Sequence, residues 1–349
     1  MSERSERHIG LSRRMFSLVA VLALALTAAV LPGSGRATAV ASPNRGHLVT
    51  MCLAPKAFPS FEHTVRVPAF LVATLLRTTA SYRGPCAAYG ESAPRGDGRL
   101  TAYSQQEHGK PAAIGVVLPT STLRGLPHDP PTDGKWCYDK NGDGTVDPMM
   151  ECANGYGSVL DLDGSFRRDV ETPFKYLMID WNPHGHGPPN VYDRPHFDAH
   201  FYLQADASRR AIRPGPCPEL VNCEDFELGK KLPAAKYRPS DFEDLDAQSP
   251  GMGNHLIDRT GPEFHGKPFT HTFIYGTWDR DVTFYEPMIT EQYLDELADG
   301  TRDDACVPIK QAEAFQQSGW YPTRYCMRHR DNRDEITISL EGFVHRAAS

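Results

Sequence analysis

This 349-residue sequence lacks the short motifs of several large enzyme classes. It contains no G-x-S-x-G, G-x-x-x-x-G-K-[ST], G-x-G-x-x-G or H-E-x-x-H segment. These motifs build, in that order, a serine nucleophile elbow, a phosphate-binding loop, a dinucleotide-binding turn and a zinc-binding helix. The sequence therefore supports none of these four sites.

Basic residues and long apolar runs are also scarce. The formal net charge is −7, and phosphate binding needs a basic face, so we expect no nucleic acid partner. One apolar run lies near the N-terminus, at residues 16–31. No later stretch approaches the roughly 20 apolar residues of a membrane-spanning helix. We therefore expect no membrane contact once the N-terminal run is removed.

Residues 1–41 have the three parts of a signal peptide. Arg13 and Arg14 precede the apolar run, and the small residues 39–41, AVA, are typical of a cleavage site. The paired arginines favour the twin-arginine route, which exports folded proteins. An uncleaved anchor is the alternative, although the run is short for a spanning helix. The sequence therefore predicts a secreted or extracytoplasmic protein.

None of the eight cysteines forms a C-x-x-C pair, which argues against a thiolate metal site. An even number of cysteines in an exported protein indicates disulfides. Sequence alone leaves many connectivities open, and we pair the cysteines by proximity. The expected disulfides are Cys52–Cys86, Cys137–Cys152, Cys217–Cys223 and Cys306–Cys326.

Proline and glycine, 29 of each, predict many turns and a strand-rich chain. We expect an α+β fold that is mainly β. It would be a single elaborated domain at 98–346 with few short helices, preceded by an irregular N-terminal appendage at 42–97. Apolar runs around polar turns predict hairpins at 100–118 and 269–286. Residues 213–254 are rich in proline and acidic residues and are expected to be irregular.

The strongest candidate for a binding site is the histidine-rich stretch 181–202. Its segment HFDAHF alternates strictly between ligand-type and apolar residues, which is typical of a half-buried strand. Such a strand would place His196, Asp198 and His200 on one face. Imidazole and carboxylate groups are ligands of zinc and similar divalent transition metals. The sequence therefore predicts a metal site on this face.

Residues from elsewhere would complete the site. His255 and Glu286 are the expected further ligands. His271 is a weaker candidate, because its strand face is shared with apolar residues. His184 and His186 lie in a glycine- and proline-rich loop and would support the ligands. The alternative for the whole cluster is a buried polar network without a metal.

A second cation signal lies at 139–151, where DKNGDGTVD matches the first nine positions of an EF-hand calcium loop. The twelfth position is Met150 instead of glutamate, and Glu151 follows one residue late. The flanks are not helical, so a lone calcium loop is the functional interpretation and a solvated turn the alternative. The candidate calcium ligands are Asp139, Asn141, Asp143, Thr145 and Asp147.

Several segments together resemble a group of uncharacterised exported bacterial proteins that share a domain of unknown function. The segments are 98–127, 180–202, 252–255, 268–276, 285–290 and 338–344, and PHFDAHFY and THTFIYG are the most specific of them. The resemblance covers most of 98–346. It implies a mixed, strand-dominated fold and allows for a homo-oligomer. It brings no established reaction, so no catalytic residue is carried over, and the calcium-like loop, the appendage and most cysteines lie outside its core.

The sequence is thus interpreted as an exported protein with a His/Asp metal site, whose activity and ligand it does not name. One alternative is a non-enzymatic binding or structural protein of the cell envelope. The other is a metal-dependent hydrolase, in which the ion polarises a water or carbonyl and Glu286 or Asp198 serves as general base.

Overall fold

The structure is a computed structural model that describes residues 47–153 and 155–349. The predicted signal peptide at 1–41 lies outside the described residues.

The described chain is mainly β, as predicted, with short helices. Its strands are β1 (Leu48–Leu53), β2 (His63–Pro68), β3 (Tyr82–Arg83), β4 (Ala88–Arg95), β5 (Gly98–Glu107), β6 (Lys110–Pro119), β7 (Tyr156–Asp161), β8 (Tyr176–Asn182), β9 (His196–Tyr202), β10 (Pro214–Cys217), β11 (Phe242–Ser249), β12 (Gly253–Asp258), β13 (His271–Trp278), β14 (Asp281–Thr290), β15 (Ala305–Pro308), β16 (Gly319–Tyr321), β17 (Arg324–Arg330), β18 (Glu335–Glu341) and β19 (Val344–Arg346). Its α-helices are α1 (Ala69–Thr78), α2 (Gly164–Asp169), α3 (Asp206–Arg210), α4 (Cys223–Gly229) and α5 (Glu291–Ala298).

Two large antiparallel sheets dominate the fold. One has seven strands in the order β11-β12-β13-β14-β9-β8-β7. The other has six strands in the order β15-β17-β18-β6-β5-β4. The hairpins predicted at 100–118 and 269–286 are confirmed as β5–β6 and β13–β14.

The main hydrophobic core contains side chains from both large sheets. Leu177, Phe197 and Phe201 of the seven-stranded sheet belong to the same buried cluster as Ile114 and Ile338 of the six-stranded sheet. Full burial of a large apolar side chain stabilises the folded state by about 1.5–3 kcal/mol. The core therefore uses one face of the seven-stranded sheet and leaves the other face to different side chains.

Residues 47–97 contribute to two sheets. Strands β2, β1 and β3 form a small sheet, and Met51, Val67 and Val72 form a separate buried cluster between this sheet and α1. Strand β4 instead pairs with β5 in the six-stranded sheet. The predicted boundary at residue 97 therefore falls in the turn of the β4–β5 hairpin.

The four expected disulfides are confirmed, and no free cysteine remains among the described residues. The bridge between Cys306 and Cys326 joins directly opposite residues of β15 and β17. No helix in the described part of the chain is long and apolar enough to cross a membrane. The disulfides fit an extracytoplasmic protein.

The expectation of irregular structure at 213–254 is wrong, because helix α4 and strands β10 and β11 lie within this segment. Helix α4 begins where the Asn222 side chain accepts hydrogen bonds from the backbone N–H groups of Glu224 and Asp225. Strand β11 pairs with β12 at the edge of the seven-stranded sheet. An edge strand has a solvated side, so it can form from a segment with few apolar residues.

Candidate metal centre

Strand β9 carries the predicted alternation. Phe197, Ala199 and Phe201 belong to the core between the large sheets. His196, Asp198 and His200 alternate with them and therefore lie on the opposite face. All three are buried, at 0%, 4% and 0% exposure. The prediction that one strand presents these three side chains together is confirmed.

Neighbouring strands add further polar side chains to this face. Strand β9 lies between β14 and β8, and Asp180 and Asn182 of β8 are directly opposite Asp198 and His196. Glu286 of β14 and His255 of β12 complete the group. The structure thus gathers ligand-type residues from four strands. Five of these, together with His186 of the loop before β9, form two sets of three.

His186, His196 and Asp198 form the first set, here called the outer triad. The Nε2 atom of His186 lies 3.2 Å from Oδ2 of Asp198, and the Nε2 atom of His196 lies 3.0 Å from Oδ1. Each histidine also contacts a backbone carbonyl through Nδ1, at 2.8 Å to Gly187 and 2.6 Å to Arg194. Both rings therefore direct Nε2 at the same carboxylate.

His200, His255 and Glu286 form the second set, here called the inner triad. The Nε2 atom of His200 lies 3.4 Å from Oε1 of Glu286, and the Nε2 atom of His255 lies 3.7 Å from Oε2. The Nδ1 atom of His255 contacts the Ala247 carbonyl at 2.8 Å. In each triad one ligand atom per residue lies within 4.8 Å of the other two.

The backbone contacts define the protonation of three rings. A carbonyl oxygen only accepts hydrogen bonds, so Nδ1 of His186, His196 and His255 carries the proton in the neutral ring. Nε2 then presents a lone pair to a carboxylate oxygen, which is repulsive unless a cation or a proton lies between them. An imidazole with one nitrogen bound to a backbone carbonyl and the other free is the usual arrangement of a metal-ligating histidine.

Several atoms of the cluster are buried without a hydrogen-bond partner. They include Nε2 of His196, Oδ1 of Asp198, both ring nitrogens of His200 and Oε2 of Glu286. His196 and Asp198 are close in distance, but their orientation does not give a hydrogen bond. Ligands at about 2.0–2.1 Å from a tetrahedral zinc ion lie about 3.3 Å from one another. The nitrogen–oxygen distances of both triads, 3.0–3.7 Å, are close to this value.

Asp180 is a third buried carboxylate beside the triads. Its Oδ2 lies 3.6 Å from Nδ1 of His200 and has no hydrogen bond. Among the described residues, no lysine or arginine forms an ion pair with Asp180, Asp198 or Glu286. Buried carboxylates need a compensating cation or a proton, because low dielectric surroundings disfavour an isolated charge.

Burial and mutual interaction shift the pKa values of the cluster. Burial lowers the pKa of His200 to about 3 and that of His255 to about 4. Burial and the Asp198 charge raise the pKa of Asp180 to about 7. Burial and the nearby carboxylates also raise the pKa of Glu286 well above its usual value. The inner histidines are therefore neutral at pH 7, which is the form that binds a metal.

Opposite effects act on the outer triad. Burial favours the neutral form of Asp198, but attraction to His196 and His186 is stronger and holds its pKa well below the usual value. Partial desolvation acts to lower the pKa of His186, and attraction to Asp198 outweighs it, so this pKa is raised. Asp198 is therefore ionised, and a proton on His186 competes with a metal ion for its carboxylate.

The cluster opens on a cavity of about 660 Å³. His186, Asp198 and His255 reach its surface, and proline residues at 130–131, 183 and 188–189 form part of its wall. His186 is the most accessible ligand-type residue of the triads, with 39% of its side chain exposed. A small molecule can therefore reach the outer triad from solvent.

The structure changes the roles expected of three histidines. His186, predicted to be a supporting residue, belongs to the outer triad. His184 lines the cavity but is in neither triad. His271 bonds the Tyr325 hydroxyl through Nδ1 at 2.8 Å and packs on Tyr293, a residue of the main core. His271 therefore lies on the opposite face of the sheet, away from the cluster.

Sequence inspection missed Asp180 and the place of Asn182. The Asn182 side chain donates a hydrogen bond of 2.7 Å to Oδ2 of Asp198, and both residues are buried. A single aspartate within the apolar strand 174–181 was the available signal. It could be interpreted only once the pairing of β8 with β9 was known.

In the calcium-like loop at 139–151, acidic side chains accept hydrogen bonds from backbone N–H groups of the same loop. The Asp139 carboxylate accepts hydrogen bonds from the N–H groups of Gly142 and Gly144, at 2.8 and 2.9 Å. The Asp143 carboxylate accepts hydrogen bonds from both the backbone and the hydroxyl of Thr145. These are the contacts of a tight polar turn.

Glu151 stabilises this loop instead of standing free as a ligand. Its carboxylate accepts hydrogen bonds from the N–H groups of Lys140, Asn141 and Asp147, at 2.8–3.0 Å. Within the described part of the chain, the loop's acidic groups do not bring three ligand atoms within 4.8 Å of one another. Calcium binding by the loop therefore stays a prediction.

Two other groups combine cysteines with a carboxylate, Cys52 and Cys86 with Glu62, and Cys306 and Cys326 with Glu341. Their cysteines are bonded to each other, so they offer no thiolate. The chain matches no protein-family model, no curated protein and no solved structure.

Proposed function

We propose that this chain is an exported, disulfide-stabilised protein that binds a divalent transition-metal ion at the outer triad. One observation carries the proposal. His186 and His196 are each held at Nδ1 by a backbone carbonyl and direct Nε2 to the two oxygens of the buried Asp198 carboxylate. Two imidazoles and a carboxylate favour zinc or a similar ion over calcium or magnesium, which prefer oxygen ligands.

Three protein ligands would leave a coordination position for an outside molecule. His186 and Asp198 border the cavity, so that position would be reached from solvent. Catalytic zinc sites keep such an open position, whereas structural sites are closed by a fourth protein ligand. The arrangement therefore suits either the capture of a small ligand or the polarisation of a water or carbonyl for hydrolysis.

The rival function is that of a non-enzymatic cell-envelope protein whose cluster is a hydrogen-bonded polar network. The raised pKa of Glu286 favours it, because a protonated Glu286 could donate a hydrogen bond to His255. In that case purified protein would hold no ion. The family resemblance adds no reaction to either proposal.

Zinc binding to a matched pair of variants tests the proposal. Chelator-stripped chain would be titrated with zinc, and bound metal measured by elemental analysis. We expect His186→Ala to weaken zinc binding at the outer triad by more than tenfold, since removal of even an outer hydrogen-bond partner costs about 10–100-fold. The control is His184→Ala, which removes an exposed histidine of the same loop that is in neither triad.

The control variant should bind zinc as the unchanged chain does. Equal zinc binding in the two variants, or no zinc binding by the unchanged chain, would rule the outer site out. Circular dichroism of each variant shows that the fold is retained.

A further inference from the structure

We infer that the inner triad is a second, separate site for a divalent transition-metal ion. The inference extends the proposed function, and it uses different ligands: His200, His255 and Glu286. The chain would then carry two ions on one face of the seven-stranded sheet. One would be more deeply buried, and the other more accessible from the cavity.

The first argument is the convergence of unpartnered atoms. His200 is 0% exposed and Glu286 is 1% exposed. Neither ring nitrogen of His200 has a hydrogen-bond partner, and neither does Oε2 of Glu286. A buried polar atom without a partner destabilises the fold, and more so when it is charged. An ion held by the three residues would satisfy Nε2 of His200 and, where it is bound through Oε2, that oxygen of Glu286 as well.

The second argument is the orientation of His255. Its Nδ1 is held by the Ala247 carbonyl, so Nε2 presents its lone pair toward Glu286 at 3.7 Å. The rings of His200 and His255 are nearly perpendicular, with centroids 5.8 Å apart. They do not stack, and both Nε2 atoms face the same carboxylate.

The third argument concerns Asp180, which we assign as a positioning residue. Its Oδ2 faces Nδ1 of His200 at 3.6 Å. A carboxylate at Nδ1 favours a proton on that nitrogen and leaves Nε2 free for a metal, as in carboxylate–histidine–zinc arrangements. Asp180 lies beside Nδ1 of His200 as the backbone carbonyls lie beside Nδ1 of the other three histidines, but at 3.6 Å it makes no hydrogen bond.

The two sites differ in access to solvent. Within the inner triad, His255 is the most exposed side chain, at 13%, whereas His186 of the outer triad is 39% exposed. Aromatic rings of Phe284 and Tyr202 pack on His200. The inner ion should therefore leave slowly and the outer ion quickly.

Metal stoichiometry and release kinetics test this inference. Zinc-loaded chain would be mixed with excess chelator, and released zinc followed with a colorimetric indicator. We expect two ions per chain in a fast and a slow phase of equal amplitude. Glu286→Gln should remove the slow phase alone, and His186→Ala the fast phase alone. His255→Ala is the second inner variant, because its partly exposed side chain makes a folding failure less of a risk.

The remaining outcomes test the inner site separately from the proposed function at the outer triad. A single ion that His186→Ala removes and neither inner variant affects would overturn the inner site and leave the proposed function standing. A single ion that only the inner variants remove would support the inner site and overturn the proposed function. A single ion lost in all three variants would show one shared site, and would overturn the inference of two.

Discussion

Asp198 lies between the two histidines of the outer triad, and its surroundings favour the binding of a cation. It is buried, and the Nε2 atoms of His186 and His196 lie close to its two oxygens. It also accepts a hydrogen bond from Asn182. Among the described residues, no lysine or arginine pairs with it. At the scale of single residues, the site is therefore a set of histidines oriented by backbone carbonyls around carboxylates that need a cation.

Asn182 provides a prediction at this scale. Its amide orients the Asp198 carboxylate without reaching the proposed ion, so Asn182→Ala should weaken zinc binding at the outer triad by roughly 10–100-fold. Zinc titration against a competing chelator measures this change. The slow, inner release phase should be unchanged, because Asn182 does not contact the inner triad. Unchanged zinc affinity at the outer triad would mean that Asn182 has only a packing role.

The sequence pattern of β9 predicted which of its residues share a face, but not how they divide between the two triads. Alternation in β9 predicted the shared face of His196, Asp198 and His200 because the side-chain period of a strand is two. It could not predict that His196 and His200 belong to different triads. That depends on which residues of the loop before β9 and of β12 lie beside each of them.

At the scale of elements, the seven-stranded sheet separates two environments. One face of β9 enters the apolar core, and the other carries the triads. His271 shows how decisive this separation is. It lies on β13 of the same sheet, but its side chain is on the core face and bonds Tyr325. A histidine of this sheet is therefore a candidate ligand only when its side chain lies on the face that carries the triads.

The calcium-like loop provides a prediction at the scale of elements. If the loop binds calcium, an excess of about 100 times Kd should stabilise the folded chain by about 2.7 kcal/mol. Differential scanning and titration calorimetry would show a higher Tm and a binding heat, both lost in Asp139→Asn. Asp133→Asn is the control, because that exposed acid lies outside the loop. No heat and no change in Tm for the unchanged chain would leave the loop as a polar turn.

The hairpins were predictable because each one is a local pattern of apolar runs around a polar turn. Strand β11 was not, because an edge strand with a solvated side has little apolar signal. Asn222 could have been recognised as a helix cap, since asparagine is a preferred capping residue. Its proline-rich surroundings concealed that signal.

At the scale of the whole molecule, four disulfides link segments around the two large sheets. A disulfide lowers the conformational entropy of the unfolded chain more when the two cysteines are further apart in the sequence. Cys52 and Cys86 are separated by 34 residues, and Cys217 and Cys223 by 6. The first bridge should therefore contribute more to the free energy of unfolding than the second.

Paired serine variants test this ranking. Replacing both Cys52 and Cys86 should lower the free energy of unfolding by about 4 kcal/mol, and replacing both Cys217 and Cys223 by about 2 kcal/mol. Urea unfolding of the metal-free chain measures both values. A larger loss for the shorter bridge would show that local packing, not loop length, determines its contribution.

The sequence by itself determined the strand-rich class and the face of β9 on which the ligand-type residues lie, and it suggested the disulfide partners that the structure confirms. These features follow from local period, turn composition and proximity along the chain. Tertiary structure decided which strands flank β9, and therefore that Asp180, Asn182, His255 and Glu286 meet it. It also brought His186 into the outer triad and excluded His271. The physical reason is that contacts between distant segments depend on strand order and on which face each strand buries, which no local pattern records.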